Sequence, residues 1–282
     1  MFEKVLVPTD LSPYVDAVIR CIQSIPGIRD VILLLVIPPA PGEASIESAR
    51  SDLAEEEAAL HTGEFSVTAR VEPAGDVAGT ILRIAESEQV SLIVIGAKGR
   101  GFLERILLGS VSSAVLRGAR TNVLIMRHKV LDTLEGPRFV KFCPQLFSRI
   151  LVPIDFSEPS IAALSLLPLF PRIGEVILVH VVSHGEAPAE TPEIFQAYAE
   201  DAEVNLAKLR DDLVQRGWSV QIRVRVGLPT HEIDRIAEAE DASLILMSSR
   251  GRGRAEEFLL GSTAASIVET TKRPVLVVKK IP

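Results

Sequence analysis

The chain of 282 residues contains one sequence pattern twice, and this repeat constrains the fold more than any other feature. Residues 4–12, KVLVPTDLS, recur as residues 149–157, RILVPIDFS, so that Asp10 and Asp155 stand 145 positions apart. Three further blocks recur in the same order, namely 31–37 with 176–182, 91–95 with 243–247, and 123–126 with 275–278. The offset rises to 152 at the block 91–95, so repeat 2 carries seven extra residues between its second and third strands. The repeat predicts two domains of one fold.

Each repeat alternates short β-branched runs with segments of helical periodicity, such as residues 77–88 and 233–240. Helix starts are marked by Ser12 followed by a proline, and by Thr191 followed by a proline and a glutamate. Such alternation indicates parallel strands, right-handed crossovers and helices on both faces of each sheet. We therefore predict an α/β fold with two tandem, doubly wound, parallel five-stranded sheets.

Residues 129–147, KVLDTLEGPRFVKFCPQLF, belong to neither repeat and are predicted to link domains at 1–128 and 148–282. The segment contains Phe139, Phe142 and Phe147, which makes it too apolar for a free tether. We expect it to pack against a domain.

Charge and hydropathy exclude some classes of partner. A net charge of −7 leaves no basic excess to displace the counterions of nucleic acid, so we expect no nucleic-acid partner. The longest aliphatic run, residues 31–37, is far shorter than the roughly 20 residues that span a bilayer. The first residues, MFEKVLVPTD, do not resemble a secretory signal. We expect a soluble cytoplasmic protein with no membrane contact.

The candidate site lies where the strands end, because ligands of open α/β sheets bind beyond the carboxyl ends of the strands. Asp10 and Asp155 follow the first strand of each repeat. After the fourth strand, repeat 1 has Gly-x2-Gly-x9-Gly-Ser over residues 96–110. Repeat 2 has Ser-x2-Gly-x9-Gly-Ser over residues 248–262.

Glycines at these positions suit the binding of phosphate. A phosphate is held best by backbone N–H groups at close range, and a Cβ would block that approach. Gly109 and Ser110 open a helix, where unpaired amides and the helix dipole favour an anion. The alternative is that Gly96 and Gly99 only make a turn while Ser110 caps a helix. The recurrence of the Gly-x9-Gly-Ser spacing favours phosphate binding.

These strand ends and glycine spacings resemble the universal stress protein family, and the glycine motif resembles that of its ATP-binding branch. The resemblance covers nearly all of both repeats. It implies that the two domains pack as an intrachain pseudo-dimer in which 123–126 and 275–278 lie at the internal interface.

The resemblance also implies roles for individual residues. Asp10 would contact adenine or ribose, and Val36 would line the adenine slot. The residues implied to approach ribose or phosphates in repeat 1 are Gly96, Gly99, Gly109 and Ser110. The matching positions in repeat 2 are Asp155, Val181, Gly251, Gly261 and Ser262.

Repeat 2 departs from the pattern at Ser248, which replaces the first glycine and adds a side chain near the expected ribose or phosphate. We therefore expect repeat 1 to bind more tightly, unless the Ser248 hydroxyl replaces a lost contact. The glycine loops also carry basic residues that either screen phosphates or simply face solvent, namely Lys98, Arg100, Arg250 and Arg252. Glu55, Glu56 and Glu57 are expected to form a solvated helix face.

Three functions remain open from the sequence. The first is a regulatory module that binds ATP, ADP or AMP, with Mg²⁺ accompanying ATP, and passes occupancy to an unknown protein partner. The second is a slow ATP hydrolase or phosphotransferase, although no nucleophile, general base or Mg²⁺ carboxylate pair is evident. The third is a structural scaffold without nucleotide. We expect weak ATPase activity at most, no catalytic residue and no resident metal, with a homodimer of tandem chains as one assembly.

Overall fold

The computed structural model describes residues 2–12, 18, 21–40, 42–60, 65–97, 108–133, 136–141, 145–170, 172–183, 191–252 and 260–280. The strands of the first repeat are β1 (Lys4–Thr9), β2 (Asp30–Ile37), β3 (Ser66–Pro73), β4 (Leu92–Gly96) and β5 (Asn122–Met126). Its helices are α1 (Glu43–Leu60), α2 (Val77–Ser87) and α3 (Ser110–Gly118), with a 3₁₀ turn at Ile22–Ser24.

A hairpin and the second repeat follow. The hairpin consists of β6 (His128–Thr133) and β7 (Gly136–Lys141). The strands of the second repeat are β8 (Arg149–Pro153), β9 (Glu175–Val182), β10 (Val220–Val226), β11 (Leu244–Ser248) and β12 (Val275–Val278). Its helices are α4 (Glu158–Ala162), α5 (Pro192–Gln215), α6 (Pro229–Ala239) and α7 (Ser262–Thr270), with a 3₁₀ helix at Ala163–Leu169.

The ten strands outside the hairpin form one continuous sheet in the order β10-β9-β8-β11-β12-β5-β4-β1-β2-β3. Within each repeat all strand pairs are parallel, which confirms the predicted doubly wound α/β fold. The repeats meet where β12 pairs antiparallel with β5, from Val275 opposite Ile125 to Val277 opposite Val123. The expected pairing of the last strands is therefore confirmed, and it fuses the two sheets at their edges.

Helices cover both faces of the sheet, and the strand pleat sorts the apolar side chains between them. Along β1, Leu6 belongs to the core layer that includes α2 and α3 residues, whereas Val5 and Val7 belong to the opposite layer. Each layer continues across β5 and β12 into the second repeat. The extra length of repeat 2 includes a longer helix, since α5 has 24 residues and α1 has 18.

The linker contains structure that the sequence does not predict. Strands β6 and β7 pair antiparallel from His128 opposite Lys141 to Thr133 opposite Gly136. Phe147 is buried, and its ring stacks on Phe170 with centroids 4.5 Å apart. Phe170 also stacks on Phe2 at 6.3 Å, so one aromatic group joins the linker end, the second repeat and the chain start. The expected packing therefore occurs at Phe147, whereas Phe142 lies outside the described residues.

Candidate functional site

The two aspartates lie at the point in each repeat where the strand order reverses, so that the chain continues on the other side of the first strand. Strand β1 lies between β2 and β4, and β8 lies between β9 and β11. Asp10 follows β1 directly and Asp155 follows β8 after one residue, so both lie at the carboxyl edge of the sheet. This is the position at which open α/β folds form ligand crevices.

A left-handed residue after each aspartate shapes the strand end. Leu11 has φ 58° and Phe156 has φ 60°, a conformation that costs a side-chain-bearing residue about 1–2 kcal/mol. The resulting turn lets the backbone N–H of Ser12 donate to Oδ1 of Asp10 at 3.1 Å, and the equivalent contact in repeat 2 is 3.0 Å. The same strained turn therefore gives both carboxylates the same backbone hydrogen bond.

A cleft of about 520 Å³ opens at this edge in the second repeat, a volume in the range of small-molecule sites. All the repeat 2 positions predicted from the sequence line it, namely Asp155, Val181, Arg250, Gly251, Arg252, Gly261 and Ser262. Ser248 lines it as well, and Ile233 and Met247 add apolar wall.

Asp155 is fixed by several donors. Its Oδ1 accepts from the Ser157 hydroxyl at 2.5 Å, and its Oδ2 accepts from the Arg252 N–H at 3.0 Å. The Arg252 Nε also donates to the Asp155 carbonyl at 2.5 Å. Burial alone would raise the pKa of Asp155, but hydrogen bonds from Ser157, Ser160 and Arg252 outweigh it and lower that pKa. The cleft therefore contains an oriented, ionised carboxylate.

Two of the loop glycines lie close to other parts of the chain. A Cβ on Gly251 would lie 2.4 Å from Oδ2 of Asp155, closer than atoms can approach. A Cβ on Gly261 would lie 3.3 Å from the backbone oxygen of Ser249, which accepts from the Gly261 N–H at 2.7 Å. Neither glycine has a positive φ. Gly251 is therefore needed for close approach to the strand-end carboxylate, whereas a side chain at Gly261 would displace the Ser249 carbonyl by a few tenths of an ångström.

The Gly-Ser pairs open helices as the sequence predicts. Gly109 is the N-cap of α3 with φ −65° and ψ 155°, and Gly261 is the N-cap of α7 with φ −63° and ψ 149°. Neither cap has a side-chain hydrogen bond, and Ser110 and Ser262 are exposed. The first-turn N–H groups and the positive end of the helix dipole can therefore bind an anion.

The repeats differ in how a hydroxyl braces the end of the fourth strand. In repeat 1 the Ser112 hydroxyl donates to the carbonyl of Gly96 at 2.7 Å. In repeat 2 Ala264 stands at the position of Ser112, and the Ser248 hydroxyl donates instead to the carbonyl of Arg250. The Ser248 hydroxyl therefore braces its own loop.

The apolar wall is similar in the two repeats. Val36 is half-buried and packs on the core layer that contains Ile81, while Val181 is buried in the same layer. In repeat 2, His180 is buried next to Val181 in the strand, and its Nδ1 lies 2.7 Å from the carbonyl oxygen of Ile154.

The repeat 1 site is described only in part. Lys98, Gly99 and Arg100 lie outside the described residues, so their roles stay predictions. Thr9 donates its hydroxyl to Oε1 of Glu56 at 3.1 Å. The expectation of a fully solvated Glu55–57 face is therefore wrong at Glu56, which reaches from α1 to the end of β1.

The described residues contain neither a metal-binding cluster nor a membrane-spanning helix. In that part of the chain, no cluster of three or more His, Cys, Asp or Glu side chains could hold a metal ion. Within the same residues, no helix has the length and apolar character to cross a membrane.

Comparisons with known proteins agree with the architecture. The model of the universal stress protein family matches residues 1–127 and again 146–279. The chain is 30% identical over 156 residues to universal stress protein MJ0577 of Methanocaldococcus jannaschii, covering 48% of this chain and 96% of that one. It is 29% identical over 199 residues to Rv2005c of Mycobacterium tuberculosis, covering 69% of this chain and 63% of that one. A solved universal stress protein from Archaeoglobus fulgidus superposes with a TM-score of 0.72 at 26% identity, covering 99% of this chain and 97% of that one. The chain therefore belongs to the universal stress protein family, with two copies of the family domain in tandem.

Proposed function

We propose that the strand-end site of each repeat, which in repeat 2 is the cleft described above, binds an adenine nucleotide, namely ATP, ADP or AMP. The observation that carries the proposal is the second cleft, whose walls combine an ionised strand-end carboxylate with the N-terminus of α7. The first group suits a hydroxyl or amine donor, and the second suits a phosphate. A nucleotide offers both kinds of group in one molecule.

The lining of the cleft supports one orientation of the nucleotide. Val181, Ile233 and Met247 form an apolar surface for a flat base. The ribose hydroxyls would donate to Asp155, and the phosphates would accept from the first-turn N–H groups after Gly261. With ATP, Mg²⁺ would accompany the phosphates. The choice of adenine rests on the likeness of the glycine motif to the ATP-binding branch of the family.

The proposed role is regulatory. Occupancy of the clefts would be passed to a protein partner during a stress response, and the chain would act as a binding module. Asp155 is committed to Ser157 and Arg252, which suits a carboxylate that binds and orients better than one that transfers protons.

Calorimetric titration of ATP and AMP into wild type and Gly261→Val tests the proposal. The added side chain would press on the Ser249 carbonyl at the start of α7, so we expect the second site to be lost. Gly42→Val is the matched control, because a Cβ there meets nothing within 4 Å. No binding by wild type would favour the scaffold, and multiple turnovers of ATP per minute would favour the hydrolase. Equal binding by Gly261→Val and wild type would remove the glycine argument.

A further inference from the structure

Arg127 connects the end of β5 in repeat 1 with helix α7 of repeat 2. It follows β5 directly, and it is buried with only 7% of its surface exposed. Its Nη2 donates to the carbonyl oxygen of Val268 at 2.5 Å and lies 3.4 Å from that of Glu269. Both carbonyls belong to the last turn of α7, so a cation from repeat 1 caps a helix of repeat 2.

The backbone next to Arg127 is hydrogen-bonded to the first residues of the repeat 1 glycine loop. Met126 is the preceding residue, and it pairs with Gly96 at the end of β4. Its carbonyl accepts from the Ala97 N–H at 2.9 Å, and the Ala97 carbonyl in turn accepts from the Gly109 N–H at 2.8 Å. A ligand that settles on this loop therefore acts on the strand end from which the arginine extends.

The N-terminus of α7, the helix that Arg127 caps, forms the proposed anion-binding part of the second cleft. Helix α7 has nine residues and so spans about 14 Å. Gly261, Ser262 and Thr263 at its start line the cleft, while the Arg127 contacts are at its other end. A short helix moves as a unit, so displacement at its C-terminus reaches the N–H groups at its start.

Charge supports the position of the guanidinium. Burial lowers the pKa of Arg127 to about 10, and the charge of Asp234 on α6 opposes that shift. Oδ1 of Asp234 is buried and has no hydrogen-bond partner among the described residues. The arginine is thus bound by α7 and lies in the field of a carboxylate on α6, and both helices contribute to the cleft wall.

The equivalent residue of repeat 2, which faces repeat 1, makes a weaker connection. Lys279 stands at the position of Arg127, and Leu82 stands at the position of Asp234. Burial lowers the pKa of Lys279 to about 8, and its Nζ has no hydrogen-bond partner in the part of the chain that the structure describes. Among the described residues, Lys279 thus has neither the helix-capping contact nor the nearby carboxylate that Arg127 has.

We infer that Arg127 is a positioning residue that couples the two clefts, so that nucleotide in the first cleft strengthens binding in the second. The inference rests on the proposed function of both sites. A ligand on the first glycine loop would act through the Gly109, Ala97 and Met126 hydrogen bonds on the backbone from which Arg127 extends, and through Arg127 on the C-terminus of α7. Coupling between sites is reciprocal, and factors of about 5 to 150 are typical.

The test measures affinity for ATP at the second site with the first site intact or disabled by Gly109→Val. In the chain with Arg127, we expect Gly109→Val to weaken the second site by about fivefold or more. In Arg127→Met, the second site should be weak and insensitive to Gly109→Val. Arg120→Met is the matched control, because Arg120 is exposed and pairs with Glu86 of its own repeat, and it should behave as wild type.

Each outcome decides between the claims. Binding at both sites with no effect of Gly109→Val on the second would overturn the coupling and leave the proposed function standing. An effect that persists in Arg127→Met would overturn the role of the arginine. Absence of ATP binding by wild type would instead remove the proposed function and the coupling with it. Should Arg127→Met fail to fold, Arg127→Lys retains a cation there, and we expect it to reduce the coupling.

Discussion

The backbone N–H of Arg252 donates to Oδ2 of Asp155 at 3.0 Å, which fastens the glycine loop of repeat 2 to the end of β8. Gly251 makes this possible, since a Cβ there would lie 2.4 Å from the same oxygen. The aspartate and the glycine are therefore one structural unit, although 96 positions of sequence separate them.

We expect Gly251→Ala to detach the loop from Asp155. Loss of a hydrogen bond to a charged group costs about 1.5–3 kcal/mol, which corresponds to roughly a tenfold to hundredfold weaker second nucleotide site. Calorimetry on Gly251→Ala, Asp155→Ala and the double variant measures the coupling. When Asp155 is already alanine, the methyl group of Gly251→Ala meets no carboxylate, so Gly251→Ala should then have little effect on nucleotide affinity. Additive effects of the two substitutions would contradict the contact.

The second prediction concerns the serine hydroxyl that braces the end of the fourth strand, which comes from a different position in each repeat. Ser248→Gly removes the brace to the Arg250 carbonyl, and we expect a loss of about 1 kcal/mol in the free energy of unfolding. Adding Ala264→Ser supplies the hydroxyl that Ser112 gives to Gly96 in repeat 1, and it should restore most of that loss. Urea denaturation of both variants measures this. No difference between the single and the double variant would show that the two braces are not equivalent.

Much of this site can be predicted from the sequence because it depends on local patterns that occur twice. Periodicity locates the strands, and the aspartates and Gly-Ser helix starts follow from the strand ends. The left-handed turns at Leu11 and Phe156 are not predictable, since neither residue type favours that conformation. The Arg127 contact with Val268 joins positions 141 residues apart, so no local pattern signals it. The role of Gly251 depends in the same way on a distant carboxylate.

Lys279 should make the stability of the chain depend on pH. Burial lowers its pKa in the folded state to about 8, against 10.5 as its ordinary value. Between these values the unfolded chain binds more protons, so the free energy of unfolding contributed by this group rises with pH. Lys279→Met removes the cost of burying the cation and should be more stable than wild type at pH 7. Denaturation from pH 7 to 10.5 should show this advantage shrinking, and a constant difference would contradict the assignment.

Asn122 stabilises the junction between the repeats. Its Oδ1 accepts from the backbone N–H groups of Lys279 at 2.9 Å and Lys280 at 3.0 Å, and the side chain is buried. We expect Asn122→Ala to lower the free energy of unfolding by about 1–3 kcal/mol, because two backbone N–H donors lose a buried acceptor. Asn205→Ala, on the exposed side of α5, is the control and should change little. Equal effects of the two substitutions would argue against a specific junction.

Native mass spectrometry of the freshly purified chain, before and after addition of ATP or AMP, tests the central claim most directly. We expect mass increments of one and then two nucleotides per wild-type chain. Gly261→Val should bind only one nucleotide, and Gly42→Val should bind two. A spectrum with no nucleotide increment at saturating ATP and AMP, from protein that remains folded, would contradict adenine-nucleotide binding by these clefts.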